Sequence, residues 1–537
     1  MELDNLGSFA KIAKPSVKDV MLLSERTPML EPYRPPQISR DDRELFDTLV
    51  LFDHWTRRAD EHIDFLKLRA MLAPFYRDSG RPAIEPVFFL KLELLMYEDC
   101  LSDSQVFERA LTDMAYRRFL GLGRRDQLPD VSTLRKFRCR LGVEGHQMIF
   151  HALLSQAREH GLVKDRLRLK DATHVLADIA IPACLQLVAQ ARSKLLNAAE
   201  PFDREQVIGE RVRLEAIRAS TDGAGNDARL LARVAHLRDI LSWVEQLPAP
   251  PDADDNPTWK ALQSAINVAR RVLVGQDDPG SPGKIRSTVD PDARRGKHGD
   301  YYDGYSLDLL VDADSELITA INVIRAGDSE ADDALVLLQQ ERAAHHNDVE
   351  MLSIDGAGYD GAAIRALESP TGGNTKVFVP AKDQSNGGKF RAEQFELSKD
   401  GSFVTCPAGE QSQYKQREES RHTTAFRFDV AKCQACPLRN SCINPKQKHG
   451  RTVKKSDYEP EYEMVRQRAA TEEYAAVKRE HPKVERRLGE LINRHDGRRA
   501  RYRGLGRVLV QQILGAITAN MKRMLRLLDA HAALATH

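Results

Sequence analysis

The chain has no long hydrophobic run, few cysteines and few aromatic residues (6%). Its most apolar segment, residues 87–96, is interrupted by Lys91 and Glu93, which makes it too short and too charged for a membrane span. The first residues lack the basic-then-apolar pattern of a secretion signal. Seven cysteines in 537 residues are too few for a disulfide scaffold. These absences predict a protein of the reducing cytoplasm with no membrane partner.

A charge excess of either sign is also missing. The 80 Lys and Arg residues balance 79 Asp and Glu residues, which leaves a formal net charge of +1. Net charge therefore says nothing about a nucleic-acid partner, and the local distribution of charge has to be examined instead. The hydrophobic content of 42% is enough to form a real core, and at roughly 150 residues per domain the length suggests about three or four folded units.

The spacing of apolar residues predicts an α/β protein. An extended, proline-bearing start is followed by three- and four-residue spacing typical of helices, from about Asp41 to Gly142. Alternating residues from Leu167 to Val175 predict a strand, and a long helical stretch follows. The next predicted elements are a hairpin at 305–311 and 317–323, a helix at 330–342, strands at 350–354 and 376–379, a polar region with cysteines, and helices from 459 with a break at 496–497. This order indicates a mixed sheet flanked by helices.

Two aspartates are placed on predicted strands in a way that suggests chemistry. Asp171 lies on the apolar side of the first strand, and Asp355 ends a later strand before a Gly-x-Gly turn. Ligands and metals gather at strand ends of open sheets, and two carboxylates held together favour a divalent cation. The alternative for Asp355 is a turn residue, because Asp-Gly is a common turn pair.

A third acid, Glu485, belongs to an amphipathic helix. Val484, Leu488 and Leu491 form its apolar stripe, and Glu485 lies at the edge of that stripe, where it can face a site. The alternative is a solvated helix charge that pairs with a neighbouring residue.

Glu485 lies in a strongly basic segment. Residues 478–507 contain eleven Lys or Arg and four acids, and 498–504 read Arg-Arg-Ala-Arg-Tyr-Arg-Gly. Arginine forks bind phosphates and tyrosine can hydrogen-bond a phosphate or stack on a base, so the segment predicts a polyanion partner. The predicted contacts to this polyanion are Arg479, His481, Lys483, Arg486, Arg498, Arg499, Arg501, Tyr502 and Arg503.

Four cysteines have the spacing of a metal site. Cys406, Cys433, Cys436 and Cys442 follow the pattern C-x26-C-x2-C-x5-C, which predicts a tetrahedral structural Zn²⁺ site. The 26-residue gap has room for a pair of strands. Unpaired reduced cysteines in a loop and an iron–sulfur cluster are the alternatives.

Several segments together resemble bacterial insertion-sequence transposases of the DDE type, in the subgroup with an N-terminal helical domain and a cysteine-bearing insertion. The resemblance covers about residues 25–525. The matching segments, in the order of the family, are residues 128–138, 171–179, 304–312, 353–359, 484–491, 498–504 and 520–524.

The resemblance implies a ribonuclease-H-like catalytic core in which Asp171, Asp355 and Glu485 hold two Mg²⁺ ions, which Mn²⁺ can replace. It also implies DNA cleavage at the terminal repeats of the element, strand transfer into target DNA, a homodimer, and a place in the cytoplasm on the nucleoid. The implied domains are an arm at 1–40, a helical DNA-binding domain at 41–160, a core at 161–182, 289–395 and 459–530, a helical insertion at 183–288, and a cysteine-rich zinc-binding insertion at 396–458.

The chain departs from the family pattern around its glutamate. The family often has a tyrosine seven residues before it, an arginine four before and a lysine seven after, whereas this chain has Lys478, His481 and Ile492. One alternative is therefore a catalytically impaired, transposase-derived DNA-binding protein. Another is a ribonuclease-H-like nuclease that cuts DNA without joining it.

Overall fold

The computed structural model describes residues 29–281, 283–381, 389–444 and 446–535. Residues 1–28 of the predicted arm lie outside the described residues. The chain forms two compact units, which are described separately. The first contains Leu101–Ala152 and the described residues up to Met96, and the second contains Tyr97–Cys100 and the chain from Leu153 onward.

The first unit is built from helices, as the three- and four-residue spacing predicts. Their starts carry capping side chains, such as Ser102, which forms a capping box with Gln105. The last helix kinks at Gly142, whose φ of +56° favours glycine. The helices are α1 Arg40–Leu49, α2 Trp55–His62, α3 Phe65–Leu72, α4 Pro86–Glu98, α5 Asp103–Thr112, α6 Met114–Leu120 and α7 Ser132–Glu159.

The basic start of α7 is partly used inside the unit. Arg138 donates to Glu93 at 2.8 Å and to Asp103 at 2.6 Å. Arg135 and Lys136 are exposed. Only part of this basic helix is therefore displayed to solvent.

The second unit is organised around a mixed sheet, which confirms the predicted α/β class. In this sheet β1 pairs antiparallel with β3 and parallel with β5, β3 also pairs antiparallel with β2 and β4, and β5 pairs parallel with β6. The order across the sheet is therefore β4-β3-β1-β5-β6, with β2 beside the start of β3. The strands are β1 Leu167–Leu176, β2 Arg294–His298, β3 Asp300–Asp312, β4 Ile318–Arg325, β5 Met351–Ile354 and β6 Lys376–Phe378.

Strand β1 is buried on both faces. Leu167 and Leu169 contribute to the core, and Arg168 and Lys170 between them are only 0% and 1% exposed. Sequence alternation identifies the strand but places its two basic residues on a polar face. Their burial depends on ion-pair partners from β3 and from the helix after β4.

Helices occupy the chain between β1 and β2 and flank the sheet further on. The helices between β1 and β2 share an apolar core that includes Val188, Leu237 and Val272. These helices and the two that follow β4 and β5 are α8 Cys184–Ala199, α9 Arg204–Ser220, α10 Asn226–Val244, α11 Pro257–Asp277, α12 Glu330–His345 and α13 Gly361–Glu368.

The cysteine-bearing region forms small sheets of its own. Phe395, Phe426, Phe428 and Val453 make its core, and β9 and β10 are the strand pair expected between Cys406 and Cys433. Its elements are β7 Glu396–Leu397, β8 Val404–Thr405, β9 Tyr414–Glu418, β10 Thr423–Arg427, α14 Val430–Ala435, α15 Arg439–Cys442 and β11 Thr452–Ser456.

The rest of the described chain is helical with the expected interruption. The helices are α16 Glu459–Ala469, α17 Glu472–Glu480, α18 Pro482–Arg494 and α19 Leu505–Ala535. In the interruption, Leu176 at the end of β1 donates its N–H to the Arg498 carbonyl at 2.9 Å and accepts from the Ala500 N–H at 2.8 Å. Across the described residues, no helix has the length and apolarity that a membrane crossing requires.

Candidate active site and basic surface

Asp171 lies in the middle of β1, opposite Leu309 of β3. Its Oδ1 accepts a hydrogen bond from the Ala172 N–H at 2.8 Å. Burial raises the pKa of Asp171 to about 6, and the negative charges of Asp355 and Glu485 act in the same direction. The three predicted acids are therefore close enough to influence one another's charge.

Asp355 is brought to Asp171 by strand register. Lys170 pairs with Ile354 in the parallel ladder between β1 and β5, so the next residue of each strand, Asp171 and Asp355, lies at the same level. Asp355 also caps a short turn by accepting from the Ala357 N–H at 3.0 Å. It is therefore both the turn residue that the Asp-Gly pair suggests and a neighbour of Asp171.

Glu485 reaches the same place from the first turn of α18. The helix packs on β1 and β3 and buries Val484, Leu488 and Leu491, as the apolar stripe predicts. Glu485 is left exposed, and with Asp171 it lines a cleft of about 300 Å³. The cleft joins a strand residue and a helix residue that are far apart in the sequence.

Lys478 on α17 contributes a positive charge to these acids. Burial lowers the pKa of Lys478, while Asp355, Asp171 and Glu485 oppose that change. Its Nζ donates to the Ile354 carbonyl at 3.4 Å, beside the Asp355 backbone. One ammonium does not balance three carboxylates, so the site keeps a net negative charge that favours the binding of cations.

The site has the donor chemistry of a Mg²⁺ site without its closed geometry. Within the described ranges, no group of three or more His, Cys, Asp or Glu side chains is arranged to hold a metal ion. Burial raises the pKa of Asp171 and the charges of Asp355 and Glu485 add to that rise, so a bound cation would favour the close approach of the three carboxylates. Their hard oxygens fit Mg²⁺.

Sequence reasoning missed part of the cleft lining. His298 at the end of β2 lies in the cleft beside Asp171. Its ring is 5.3 Å from that of His174, between ring centroids. Strand β2 has the sequence Arg-Arg-Gly-Lys-His, which lacks apolar alternation, so no sequence signal marked it as a strand.

The predicted DNA contacts differ in how freely they face solvent. Arg479, Arg486, Arg499 and Arg503 are exposed. Arg486 forms an ion pair with Glu316 at 3.1 Å, and Arg503 donates to the Asp178 carbonyl at 3.2 Å. Arg479 and Arg499 have no ion-pair partner within the part of the chain that the structure describes.

Other predicted contacts are tied to the protein. Arg498 lines the cleft and donates to the His174 carbonyl at 2.5 Å. Arg501 pairs with Asp496 at 2.9 Å, and Lys483 donates to the Ala313 carbonyl at 2.7 Å. Tyr502 is half-buried.

His481 lies in the interior, between α17 and α18. It is 6% exposed, and its Nδ1 is 3.0 Å from the Ser353 hydroxyl. Burial and the nearby Lys478 charge lower the pKa of His481 to about 4, so the imidazole is neutral at pH 7. Of the nine predicted DNA contacts, this one is not placed at a surface.

The four cysteines converge. Cys406, Cys433, Cys436 and Cys442 line one cavity of about 30 Å³ against the small apolar core of their region. Burial raises the pKa of Cys442, and the other three sulfurs act in the same direction while Arg451 opposes them. The donor set fits Zn²⁺ chemically, although the sulfurs are not arranged at ligand distances.

Comparison with known families finds transposase domains in both units. A family described as transposase DDE domain matches residues 405–525, which include Glu485 and the four cysteines. A family described as transposase domain (DUF772) matches residues 44–140, within the helices of the first unit. No curated protein and no solved structure matches the chain significantly. The two matches together indicate an insertion-sequence transposase of the DDE type.

Proposed function

We propose that the protein binds the terminal inverted repeats of its insertion sequence and catalyses metal-dependent DNA cleavage and strand transfer. The observation that carries this proposal is that Asp171 and Glu485 line one cleft together with Arg498, while the nearby charge of Asp355 acts on Asp171. The proposal includes a ribonuclease-H-like core, supported by a central β1 with one antiparallel and one parallel neighbour.

The reaction is an in-line attack on a phosphodiester. Water first attacks the phosphodiester at the element end and breaks its P–O3′ bond, which frees a 3′-hydroxyl. This hydroxyl then attacks a phosphodiester of the target DNA, and the 3′-oxygen of the target strand leaves. Asp171, Asp355 and Glu485 would hold two Mg²⁺ ions, and bound divalent ions activate the attacking oxygen and stabilise the leaving one. Lys478 keeps an ammonium beside the three acids, and Arg498 presents a cation at the rim of the cleft.

DNA is proposed to lie along the exposed arginines. Among the described residues, Arg479 and Arg499 have no ion-pair partner, so their guanidinium groups can bind phosphates. Arg486 and Arg503 can exchange their weak surface partners for phosphates. We assign residues 41–160 to recognition of the repeats, through Arg135 and Lys136 among others. Two element ends must be held together, which supports a homodimer acting on the bacterial nucleoid.

The chain order supports two insertions in the core. Helices α8–α11 lie between β1 and β2, and the cysteine-bearing sheets lie between β6 and α16. We assign a structural Zn²⁺ to Cys406, Cys433, Cys436 and Cys442. The expected result is one zinc per chain by elemental analysis, lost in Cys433→Ser and retained in Cys184→Ser, an exposed cysteine outside the cluster. Equal zinc content in both variants would overturn the assignment.

The test of catalysis compares wild type with Glu485→Gln on a labelled duplex that carries the element's own end, with Mg²⁺. Wild type is expected to nick at the repeat boundary and to join the free end to target DNA, whereas Glu485→Gln binds without cutting. Glu472→Gln, on the exposed start of α17, is the matched control and should cut normally. Equal cutting by Glu485→Gln would show that Glu485 is only a helix charge.

The alternative is a transposase-derived protein that binds DNA without cutting it. It is favoured by the buried position of His481 and by Ile492, which puts an apolar side chain in the cleft wall. Specific binding by wild type without any nicking would support this alternative. Nicking without joining would instead indicate a nuclease.

A further inference from the structure

Four arginines gather where α8, α9 and α10 pack together. They are Arg192 on α8, Arg218 on α9, and Arg229 and Arg233 on α10. Arg192 is only 4% exposed, and its Nη1 is buried without a hydrogen-bond partner. The Nε of Arg233 is also buried and unpaired. Two guanidinium groups therefore have buried N–H donors that make no hydrogen bond within the described structure.

Other arginines of the same helices are satisfied. Arg211 pairs with Glu200 at 2.8 Å, and Arg213 pairs with Asp239 at 2.5 Å. Within the described residues, Arg192, Arg229 and Arg233 have no carboxylate at ion-pair distance. Among the described residues, Arg229 donates to the Thr221 carbonyl at 3.3 Å. Arg192, Arg229 and Arg233 thus lack the carboxylate partners that Arg211 and Arg213 have in the described structure.

The electrostatics of the group point the same way. Burial, together with the positive charges of Arg233 and Arg218, lowers the pKa of Arg192 to about 10. Glu215 opposes this change, but it already pairs with Arg218 at 2.8 Å. A buried, unpaired cation is strongly unfavourable, and an external anion would relieve the cost.

We propose that Arg192, Arg218, Arg229 and Arg233 form a binding site for a phosphate group. Arg218 is exposed, Arg229 and Arg233 are half-buried, and Arg192 lies deepest, so the donors lead from the surface inward. Guanidinium forks match the paired oxygens of a phosphate. The phosphate is that of a small phosphate anion or of a DNA backbone. The site itself does not depend on the proposed catalytic function.

The first experiment is thermal denaturation in potassium phosphate and in potassium chloride of equal ionic strength, without Mg²⁺. Phosphate is expected to raise the unfolding midpoint of wild type. Arg192→Met should abolish that rise and weaken phosphate affinity about tenfold or more, because it removes the deepest charged donor. In chloride, the unfolding midpoint of Arg192→Met should lie at a higher temperature than that of wild type, because methionine replaces an unpaired buried charge.

Controls separate the site from general charge. Arg211→Met removes a paired arginine of α9 and should keep the full response to phosphate. If Arg192→Met does not fold, Arg233→Met tests the same site from a half-buried position. If phosphate raises the unfolding midpoints of wild type and Arg192→Met by the same measurable amount, the proposal is overturned.

A second arm identifies the source of the phosphate. A short duplex replaces phosphate, and its affinity is measured over a range of salt concentrations. If only DNA stabilises wild type, and Arg192→Met reduces the salt dependence of binding while Arg211→Met does not, the ligand is the DNA backbone. If neither ligand acts through Arg192, the proposal is wrong, whatever the result of the cleavage assay.

Discussion

Strand β1 carries charged residues in two different environments. Arg168 and Lys170 have ion-pair partners, whereas Asp171 lies near other acids. Arg168 donates to Asp312 at 2.8 Å and to Glu341 at 2.6 Å, and Lys170 donates to Asp308 at 2.7 Å. Asp171, the next residue, faces other acids across the cleft. A strand of ten residues thus holds matched charges beside an unmatched one.

The difference separates charges that hold the fold from charges that await a ligand. Arg168 has acids from β3 and α12 around it, and removing one partner would leave a bare buried charge. Burial raises the pKa of Asp171, the like charges of Asp355 and Glu485 add to that rise, and a bound cation would relieve the repulsion. Matching of charge, rather than burial, is the property that marks the site.

The largest expected effect is on Arg168. Arg168→Met should lower the free energy of unfolding by about 3–5 kcal/mol, because Asp312 and Glu341 lose their counter-charge in the interior. Arg166→Met is the control, since Arg166 pairs with Asp314 at the surface and should cost less than about 1 kcal/mol. Urea denaturation measures both, and equal losses would contradict the comparison.

Substitution of Lys170 should also lower the free energy of unfolding, and a second substitution should recover that loss. Lys170→Met should cost about 3 kcal/mol, because Asp308 and Asp333 then lack a nearby cation. Adding Asp308→Leu should recover most of this loss, since the pair is replaced by apolar side chains. A double-mutant cycle by urea denaturation checks the coupling, and additive losses would show that the two residues act separately.

For Asp171, unlike Arg168 and Lys170, removing the charge is expected to stabilise the protein near neutral pH in the absence of metal. Its folded pKa of about 6 lies above the unfolded value, so the folded state keeps a proton that the unfolded state loses between pH 4 and 6. Stability of wild type without metal should therefore fall across this range, by an amount on the order of 2 kcal/mol relative to Asp171→Asn. Comparing the variants at each pH cancels the contribution of His481, whose lowered pKa acts with the opposite sign.

The control for this profile is Asp254→Asn, an exposed acid far along the chain from β1. It should follow wild type throughout the titration in EDTA. A profile for Asp171→Asn that is parallel to wild type would show that Asp171 is not the group that titrates.

Lys478 should give the smallest change. Lys478→Met removes a cation beside three carboxylates, so the midpoint of the Asp171-dependent transition should move upward in pH, by about half a unit. NMR titration of the Asp171 carboxyl measures this directly. A downward movement would mean that Lys478 does not offset these acids.

Much of the fold follows from local pattern. The hairpin of β3 and β4, the strand before Asp355 and the amphipathic α18 are all visible as spacing of apolar residues. The same spacing places Asp171, Asp355 and Glu485 on their elements. Strand register then accounts for the meeting of the two aspartates.

What the sequence could not provide depends on distant partners. The partners of Arg168 and Lys170 come from β3 and α12, so no local spacing reveals that these basic residues are buried. His481 resembles a surface residue in a basic segment, but it packs on Ser353 of β5. The pairing of Leu176 with residues 498–500 likewise joins remote segments.

That last pairing has a consequence for the order in which the protein is made. Asp171 is synthesised early, whereas Glu485 and the residues that tie α18 to the end of β1 follow more than 300 positions later. At about 5–20 residues per second, a ribosome needs roughly 15–60 s to cover that interval. During this time the nascent chain contains Asp171 but not α18, the helix that completes the cleft. A product terminated before Glu485 therefore lacks an assembled cleft.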